Sequence, residues 1–334
     1  MASFLVHPIP MMSDINEKVR AQTKIAKVND VVRLVRTNLS IEEGSQPLSN
    51  LQDDVRELEL RACNISGDGM LKTILSCHRC LHSLEKLTLD RTVLSLNAVK
   101  ELSANLPNCL FELSLNGCGV TDDAVKVLCK GLLKRCSLKK LLLEQNQLTA
   151  YGVFQVASLL KSSGLIELFL SDNKIEDKGL EQITQALMEG SPLETLYLDG
   201  NRISFAGIAL LSEAFTSGMC RLEILSLDNC NLVSDQGLVS LVAAISTGLS
   251  RLVILNLNNC NLTDVSAKSI SEAIQMPNWS LCKLRMKNNK FSHDGIMQLT
   301  RAMKSSDNLV ELSMMENFEI NQEQQGLETK DDEC

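Results

Sequence analysis

The chain has 334 residues, of which 44% are hydrophobic and only 3% aromatic, so aliphatic side chains have to fill its core. Its formal net charge is −8, and residues 318–334 alone contribute five of those negative charges, which leaves a nearly neutral body. Neither part offers the basic surface that attracts nucleic acid or an anionic membrane. Both are therefore excluded as expected partners.

The first residues do not resemble an export signal. Met1–Met12 contain a short apolar run that is broken by two prolines and has no basic segment before it. No stretch of about 18 apolar residues occurs elsewhere in the sequence. We therefore expect a cytoplasmic protein, with a nuclear location also open, whose twelve cysteines are reduced thiols.

Residues 1–13 are expected to form a flexible N-terminus, followed by a helical cap and linker over residues 14–54. Apolar residues recur at spacings of three and four as far as Leu39, and Asp14 with Glu17 is typical of a helix start. The polar stretch after this segment predicts the linker. Because the polar face of the predicted helix is basic, the sequence leaves open whether the helix is only a cap or also binds a partner.

Residues 55–317 contain ten copies of the template L-x-x-L-x-L-x-x-[NC]-x-L, spaced 26–30 residues apart. The alternating L-x-L predicts a short strand, and the residues after it have the apolar spacing of a helix. One such unit cannot bury its apolar face alone, so neighbouring repeats are expected to stack. The copies begin at Val55, Leu84, Leu110, Leu138, Leu165, Leu193, Leu222, Leu252, Leu281 and Leu309.

The predicted fold is an α/β leucine-rich-repeat solenoid, or horseshoe. Stacked strands would form a parallel sheet, and the helices would line its opposite side. Because a helix is about 10 Å wide and neighbouring strands lie about 4.8 Å apart, the helical side takes the longer arc. The sheet is therefore expected on the concave face and the helices on the convex face. Residues 318–334 are expected to close the last repeat and continue as an acidic tail.

The ninth template position marks the point where the chain leaves each strand and turns into the core. Buried turn amides need a side-chain partner there; asparagine both donates and accepts hydrogen bonds, and cysteine tolerates the same slot. We predict a structural role for these ladder residues, which are Cys63, Thr92, Cys118, Asn146, Asn173, Asn201, Cys230, Cys260, Asn289 and Asn317.

These repeats resemble the ribonuclease-inhibitor-like leucine-rich-repeat family over about residues 55–317. The resemblance implies the horseshoe fold but says little about function. The irregular order of cysteine and asparagine departs from the strict alternation of two repeat types in ribonuclease inhibitor. The chain also lacks the G-x-x-x-x-G-K-[ST] motif that the nucleotide-binding module of a NOD-like receptor would need.

Cysteine and histidine cluster at residues 77–82, with the sequence CHRCLH. Zinc needs four ligands in a tetrahedral array, and a lone C-x-x-C without a second pair at the usual spacing is a weak signal. The sequence contains no nucleophile elbow, phosphate-binding glycine loop or H-E-x-x-H motif. We therefore predict no metal, no cofactor and no catalytic residue.

Template positions 3, 5 and 7 alternate with the buried leucines and are predicted to face the concave side. Their polar background is interrupted by apolar and aromatic side chains in adjacent repeats, and the ninth repeat is basic. Interface centres favour aromatic anchors surrounded by polar groups. The predicted partner-binding residues are Leu142, Glu144, Phe169, Tyr197, Asp199, Ile224, Asp228, Ile254, Lys283, Arg285 and Lys287.

This pattern predicts a non-enzymatic scaffold or adaptor that binds a protein on its concave face. The acidic members of the site would select a partner with a basic rim. The alternative is a GTPase-activating protein with a small GTPase as its partner, because the resemblance extends to Ran GTPase-activating proteins, which present an arginine from a strand-to-helix loop. Arg61, Arg91 and Arg202 lie in or beside comparable loops.

Overall fold

The computed structural model describes residues 26–28, 31–35, 38–39, 55–65, 83–134, 137–306, 308–315 and 317. Within these ranges the chain forms a repeat solenoid in which three-residue strands alternate with helices of 10 to 13 residues. None of the helices in these ranges is long and apolar enough to cross a membrane.

Strands from successive repeats lie side by side in one sheet. Its order is β1-β2-β4-β6 and then β7 to β14 in sequence, while β3 and β5 pair separately. All pairs are parallel except β1 with β2. The strands are β1 (Ala26–Val28), β2 (Val31–Val35), β3 (Asn38–Leu39), β4 (Glu57–Arg61), β5 (Asn64–Ile65), β6 (Lys86–Thr88), β7 (Glu112–Ser114), β8 (Lys140–Leu142), β9 (Glu167–Phe169), β10 (Thr195–Tyr197), β11 (Ile224–Ser226), β12 (Ile254–Asn256), β13 (Lys283–Arg285) and β14 (Glu311–Ser313).

Within the described ranges, a helix follows the strand in each repeat from the second to the ninth. Most begin after a serine or threonine whose hydroxyl accepts a hydrogen bond from a backbone N–H of the first turn, which satisfies one of the unpaired helix donors. The helices are α1 (Leu96–Asn105), α2 (Asp122–Leu132), α3 (Ala150–Ser162), α4 (Asp177–Met188), α5 (Phe205–Thr216), α6 (Ser234–Ile245), α7 (Asp264–Ile274) and α8 (His293–Lys304).

The core lies between the sheet and the helices. Strand pairing keeps equivalent template positions opposite each other, as in Leu168 beside Leu196 and Leu196 beside Leu225. These leucines, at the fourth template position, are fully buried, and those at the sixth position, such as Leu170, are buried with them. Removing these side chains from water stabilises the fold by roughly 25 cal/mol per Å² of apolar surface. Because positions 4 and 6 point into the core, the alternating positions 3, 5 and 7 face the concave side, and the helices line the convex side.

The helix that was predicted up to Leu39 is wrong over the described part of this segment, where the chain forms β1, β2 and β3. The β-branched run at Val31 and Val32 favours a strand. Strand β2 pairs in parallel with β4, placing Val32 opposite Leu58 and Leu34 opposite Leu60. The solenoid therefore begins one strand earlier than the ten template copies indicate.

Antiparallel pairing with β1 then ends the parallel pattern at this edge of the sheet. Several other predictions fall on residues outside the described ranges: the flexible N-terminus, the start of the cap, the linker over residues 40–54, and the acidic tail beyond Asn317.

Helix starts are also tied together across repeats. Asp177, the first residue of α4, accepts hydrogen bonds from the backbone N–H of Ser204 at 2.8 Å and from its hydroxyl at 2.6 Å. Because Ser204 is the N-cap of α5, this carboxylate fixes the position of one helix relative to the next. The same arrangement joins Asp122 to Thr149, Asp235 to Thr263, and Asp264 to Ser292.

Candidate partner-binding site

The apolar strip, which we define as Leu142, Phe169 and Tyr197, occupies the same position in β8, β9 and β10. Strand pairing places Leu142 beside Phe169 and Phe169 beside Tyr197. The two rings stack with their centroids 4.8 Å apart and their planes at 24°. All three side chains are only partly buried, so the strip presents a preorganised apolar surface on the concave face.

A lysine extends the strip on one side. The ammonium Nζ of Lys140 lies 4.9 Å from the centroid of the Phe169 ring, within the range of a cation–π interaction. The same ammonium is 2.9 Å from the Glu167 carboxylate, so its position is held from two directions. The Phe169 ring therefore contacts a cation as well as the ring of Tyr197.

Ile224 and Ile254 lie beside each other in β11 and β12, at template position 3. They are therefore displaced by two residues along the strands from the line of the apolar strip. The intervening position 5 of these two repeats carries Ser226 and Asn256, which are short and buried. The predicted apolar residues thus form two neighbouring groups on the concave face instead of one continuous line.

Carboxylates surround the hydroxyl end of Tyr197. Burial raises the pKa of Asp199 to about 6, and the neighbouring Asp228 carboxylate adds to this effect. Burial likewise raises the pKa of Glu144, with further contributions from Asp172 and Asp90. Burial also raises the pKa of the Tyr197 phenol; the Asp199 carboxylate acts in the same direction, and the Arg285 guanidinium opposes it. Negative charge is therefore concentrated and costly at this end of the site.

Several of these carboxylates also have a structural role that the sequence analysis missed. The Asp199 carboxylate accepts a hydrogen bond from the backbone N–H of Asp228 at 2.9 Å, and the Asp228 carboxylate accepts one from the N–H of Asn258 at 2.7 Å. The Asn258 side chain in turn accepts one from the N–H of Lys287 at 2.7 Å. A signal was present, because template position 7 carries Asp, Asn or Glu in six of the ten copies.

Asp199 should make stability depend on pH. Its folded-state pKa lies above the ordinary value, which means that folding favours the neutral carboxyl. The stability that this preference contributes is fully present below about pH 4 and is lost as the pH rises through about 6. Asp199→Asn retains an acceptor for the Asp228 N–H but does not ionise. From about pH 4 to about pH 7 the free energy of unfolding should therefore fall by about 2 kcal/mol more in the wild type than in Asp199→Asn. Urea unfolding at several pH values measures this difference. A difference between the two proteins that does not change with pH would contradict it.

The ninth repeat is less basic than its sequence suggests. The Arg285 guanidinium binds both oxygens of Glu311, at 2.7 and 3.3 Å, and the Lys283 ammonium lies 3.6 Å from the same carboxylate. Hydrogen bonding to Glu311 raises the pKa of Arg285. Glu311 belongs to the next repeat and offsets one of the three predicted positive charges. Lys287, at position 7, completes the group.

The ladder residues make the turn contacts that were expected of asparagine. The Asn173 amide donates to the carbonyls of Leu143 and Leu170, at 2.9 and 3.0 Å, and its oxygen accepts from the N–H of Leu148 at 3.0 Å. Asn146, Asn201 and Asn289 repeat this arrangement. At Asn317 the amide donates to the carbonyls of Met286 and Met314, and its oxygen accepts from the N–H of Asn289.

Cysteines fill the same ladder slot with fewer hydrogen bonds. The thiol of Cys118 donates to the carbonyl of Leu89 at 3.0 Å, and that of Cys260 to the carbonyl of Leu227 at 3.1 Å. Cys230 makes a longer contact of 3.4 Å with the Leu198 carbonyl. The thiol of Cys63 lies 3.6 Å from the carbonyl of Arg61. Thr92 fills the slot in the next repeat, where its hydroxyl donates to the carbonyl of Leu60 at 2.9 Å and accepts from the N–H of Cys63 at 3.2 Å.

Burial should make the core thiols unreactive. It raises the pKa of Cys118 and Cys230 to about 12 and that of Cys220 to about 11. We expect iodoacetamide at neutral pH to modify the half-buried Cys109 and Cys282 well before these three, as mapped by peptide mass spectrometry. Denatured protein should titrate close to twelve thiols. Equal modification rates for all five cysteines in the native protein would contradict the prediction.

No group of residues that could hold a metal ion occurs within the described ranges. The C-x-x-C cluster at residues 77–82 lies outside them.

Two of the three candidate arginines lie close together, and the third is remote from them. Arg61 lies 3.6 Å from the Glu59 carboxylate, and Arg202 lies 3.9 Å from that of Glu176. Arg91 is exposed and has a left-handed backbone, with φ of 57°. Arg61 and Arg91 line one cavity of about 430 Å³ together with Asp90, Asn116 and Glu144. Arg202 lies four repeats further along the solenoid.

Comparison with known proteins agrees with this architecture. A leucine-rich-repeat family model matches residues 163–183 and 250–271. The chain is 28% identical over 240 residues to NACHT, LRR and PYD domains-containing protein 3 of Macaca mulatta, covering 60% of this chain and 23% of that protein. It is 28% identical over 192 residues to ribonuclease inhibitor of Mus musculus, covering 56% of this chain and 42% of that protein.

The chain thus spans less than half the length of these relatives. Among solved structures, the yeast Rad7 and Elc1 complex contains a chain that aligns with a TM-score of 0.50 at 17% identity, covering 90% of this chain and 82% of that one. This likeness bears on the fold alone. Repeat sequence, sheet topology and relatives agree: the chain is a leucine-rich-repeat protein of the ribonuclease-inhibitor-like kind.

Proposed function

We propose that the chain is a non-enzymatic scaffold or adaptor that holds a protein partner on its concave face, centred on the apolar strip. The observation that carries this proposal is the stacked pair of Phe169 and Tyr197, which is partly exposed on a concave face whose residues are mostly polar. Rigid aromatic side chains lose little entropy on binding and dominate the energetics of many interfaces. Relatives with the same repeats support a protein-binding role.

The charges around the strip suggest the chemistry of the partner. Glu144, Asp199 and Asp228 favour a partner surface with a basic rim at the Tyr197 end. On the strands that follow, Lys283, Arg285 and Lys287 together with Glu311 retain a net positive charge and would orient an acidic part of the partner. The Arg285 guanidinium lies near enough to Tyr197 to interact with its phenol, so the acidic and basic groups adjoin each other. Because Asp199 and Asp228 also hold the neighbouring turns, they are positioned before any partner arrives.

The experiment that tests the proposal starts by finding the partner. A photocrosslinking amino acid is placed at Tyr197 on the concave face or at Lys268 on the convex face, and the chain is irradiated in an extract of the cells that express it. Proteins captured only from Tyr197 are then purified, and their affinities for the wild-type chain are measured. Failure of every such protein to bind the purified chain would overturn the proposal.

The GTPase-activator hypothesis has its own decisive measurement. Small GTPases would be assayed for GTP hydrolysis with and without the chain, and again with Arg61→Ala, Arg91→Ala and Arg202→Ala. Stimulation that is lost in one of these variants would replace the scaffold proposal. Arg61 and Arg202 each lie beside a carboxylate, so the exposed Arg91 is the arginine on which this hypothesis chiefly rests.

A further inference from the structure

The convex face carries an aromatic pair that the concave site does not use. Tyr151 and Phe154 are the second and fifth residues of α3, so they lie on the same side of the helix. Tyr151 is 82% exposed and Phe154 is 52% exposed, in a chain with only 3% aromatic residues. They also line a groove of about 570 Å³ beside α2. Exposed aromatic side chains next to a groove are typical of an interaction surface.

Charged residues flank this pair in a complementary order. In α2 the second and fifth residues are Asp123 and Lys126, whereas in α4 they are Lys178 and Glu181. All four side chains are exposed. At the second helix position, α3 is therefore flanked by a negative charge on α2 and a positive charge on α4. At the fifth position the two signs are reversed.

This order is self-complementary under a two-fold rotation. An axis parallel to α3 and lying above it places α2 of one copy over α4 of the second copy, with the helices running in the same direction. Tyr151 and Phe154 then meet their own counterparts on the axis. Asp123 of each copy faces Lys178 of the other, and Lys126 of each faces Glu181 of the other, which gives four opposite-charge pairs.

The far ends of the same helices continue the match. Leu133, just after α2, and Met188, at the end of α4, are both exposed and occupy equivalent positions, so they would face each other across the axis. Lys161 of α3 would lie near its own counterpart. Its ammonium is held 2.9 Å from the Glu189 carboxylate of the same chain, on the α4 side, which offsets the repulsion between the two copies.

We propose that this convex surface, comprising α2, α3 and α4, binds a second copy of the chain in a two-fold symmetric dimer. The surface lies on the opposite side of the solenoid from the apolar strip, so the inference does not depend on the proposed partner-binding function. Two convex surfaces touch over a limited area, and the dimer is accordingly expected to be weak, with a dissociation constant of about 10–100 µM.

A charge swap tests this arrangement. Sedimentation equilibrium from about 5 µM to about 500 µM should show a monomer–dimer equilibrium for the wild-type chain. Lys178→Glu and Asp123→Lys each place like charges opposite each other twice in the dimer, and each should weaken it by about tenfold or more. The double variant D123K/K178E restores opposite charges and should recover dissociation constants within about threefold of wild type. Tyr151→Ala should weaken the dimer by about tenfold.

The matched control is Lys268→Glu, which makes the same charge change at the fifth position of the distant helix α7 and should leave the dimer unchanged. Circular dichroism and urea unfolding confirm that each variant is folded. A chain that stays monomeric over the whole concentration range would overturn the proposal. A dimer that K268E weakens as much as K178E, or that the double variant fails to restore, would overturn it as well.

Discussion

Replacement of Asn173 by alanine is expected to lower the free energy of unfolding by about 2–3 kcal/mol. The Asn173 amide and carbonyl serve one backbone N–H and the carbonyls of Leu143 and Leu170, all of them buried in the turn between repeats. Alanine leaves these groups without partners, and a buried unpaired polar group costs about 1–3 kcal/mol. Urea unfolding followed by circular dichroism measures the change.

Two further variants separate the hydrogen bonds from the turn itself. Asn173→Cys, the residue found in this slot at Cys118 and Cys260, retains a donor to the preceding carbonyl and should lose about half as much stability as alanine. Lys174→Ala changes the next residue of the same turn, which is exposed, and should be nearly neutral. If Asn173→Ala and Lys174→Ala had equal midpoints, Asn173 would not hold the turn.

Much of the fold follows from one template because its leucines serve both local and global structure. The alternation around Leu168 predicts a strand, and the recurrence of that leucine in every copy predicts which residues pair across the sheet. Stacking of repeats turns a local pattern into a complete core, with no long-range choice of topology left open. The helices, strands and concave face could therefore be predicted without alignment to a known structure.

The N-terminal segment shows where the same reasoning fails. Spacings of three and four up to Leu39 mimic a helix, but Val32, Leu34 and Leu39 also match template positions 4, 6 and 11 of an additional repeat. Pairing with β4 and β5 decides between the two patterns, because a preformed sheet edge offers hydrogen bonds that an isolated cap helix cannot match. Tertiary context here overrides helical periodicity.

Side-chain partners between repeats were harder to predict than the repeats themselves. The sequence assigned Asp228, Lys283 and Arg285 to partner binding alone. Their contacts join residues 26 to 30 positions apart in sequence, and they depend on rotamers as well as on strand register. Sequence periodicity fixes which residues are neighbours, but it does not fix which atoms of these long side chains meet.

The concave site should be identified by its aromatic side chains. Once photocrosslinking at Tyr197 has identified a partner, Phe169→Ala and Tyr197→Ala are each expected to weaken its binding by about 2 kcal/mol, or about thirtyfold. Each substitution removes one ring of the stacked pair, whose centroids lie 4.8 Å apart, and so removes both apolar contact area and the preorganisation of the remaining ring. Isothermal titration calorimetry measures the affinities.

The control variants distinguish the site from a general loss of structure. Phe205→Ala removes a partly exposed phenylalanine from the convex face at α5 and should leave the affinity unchanged. Tyr197→Phe retains the ring beside Phe169 but removes the hydroxyl that lies among the carboxylates, so it should weaken binding less than Tyr197→Ala. If both alanine variants bound the partner like wild type, while Phe205→Ala did not, the partner would bind the convex face and the concave site would be wrong.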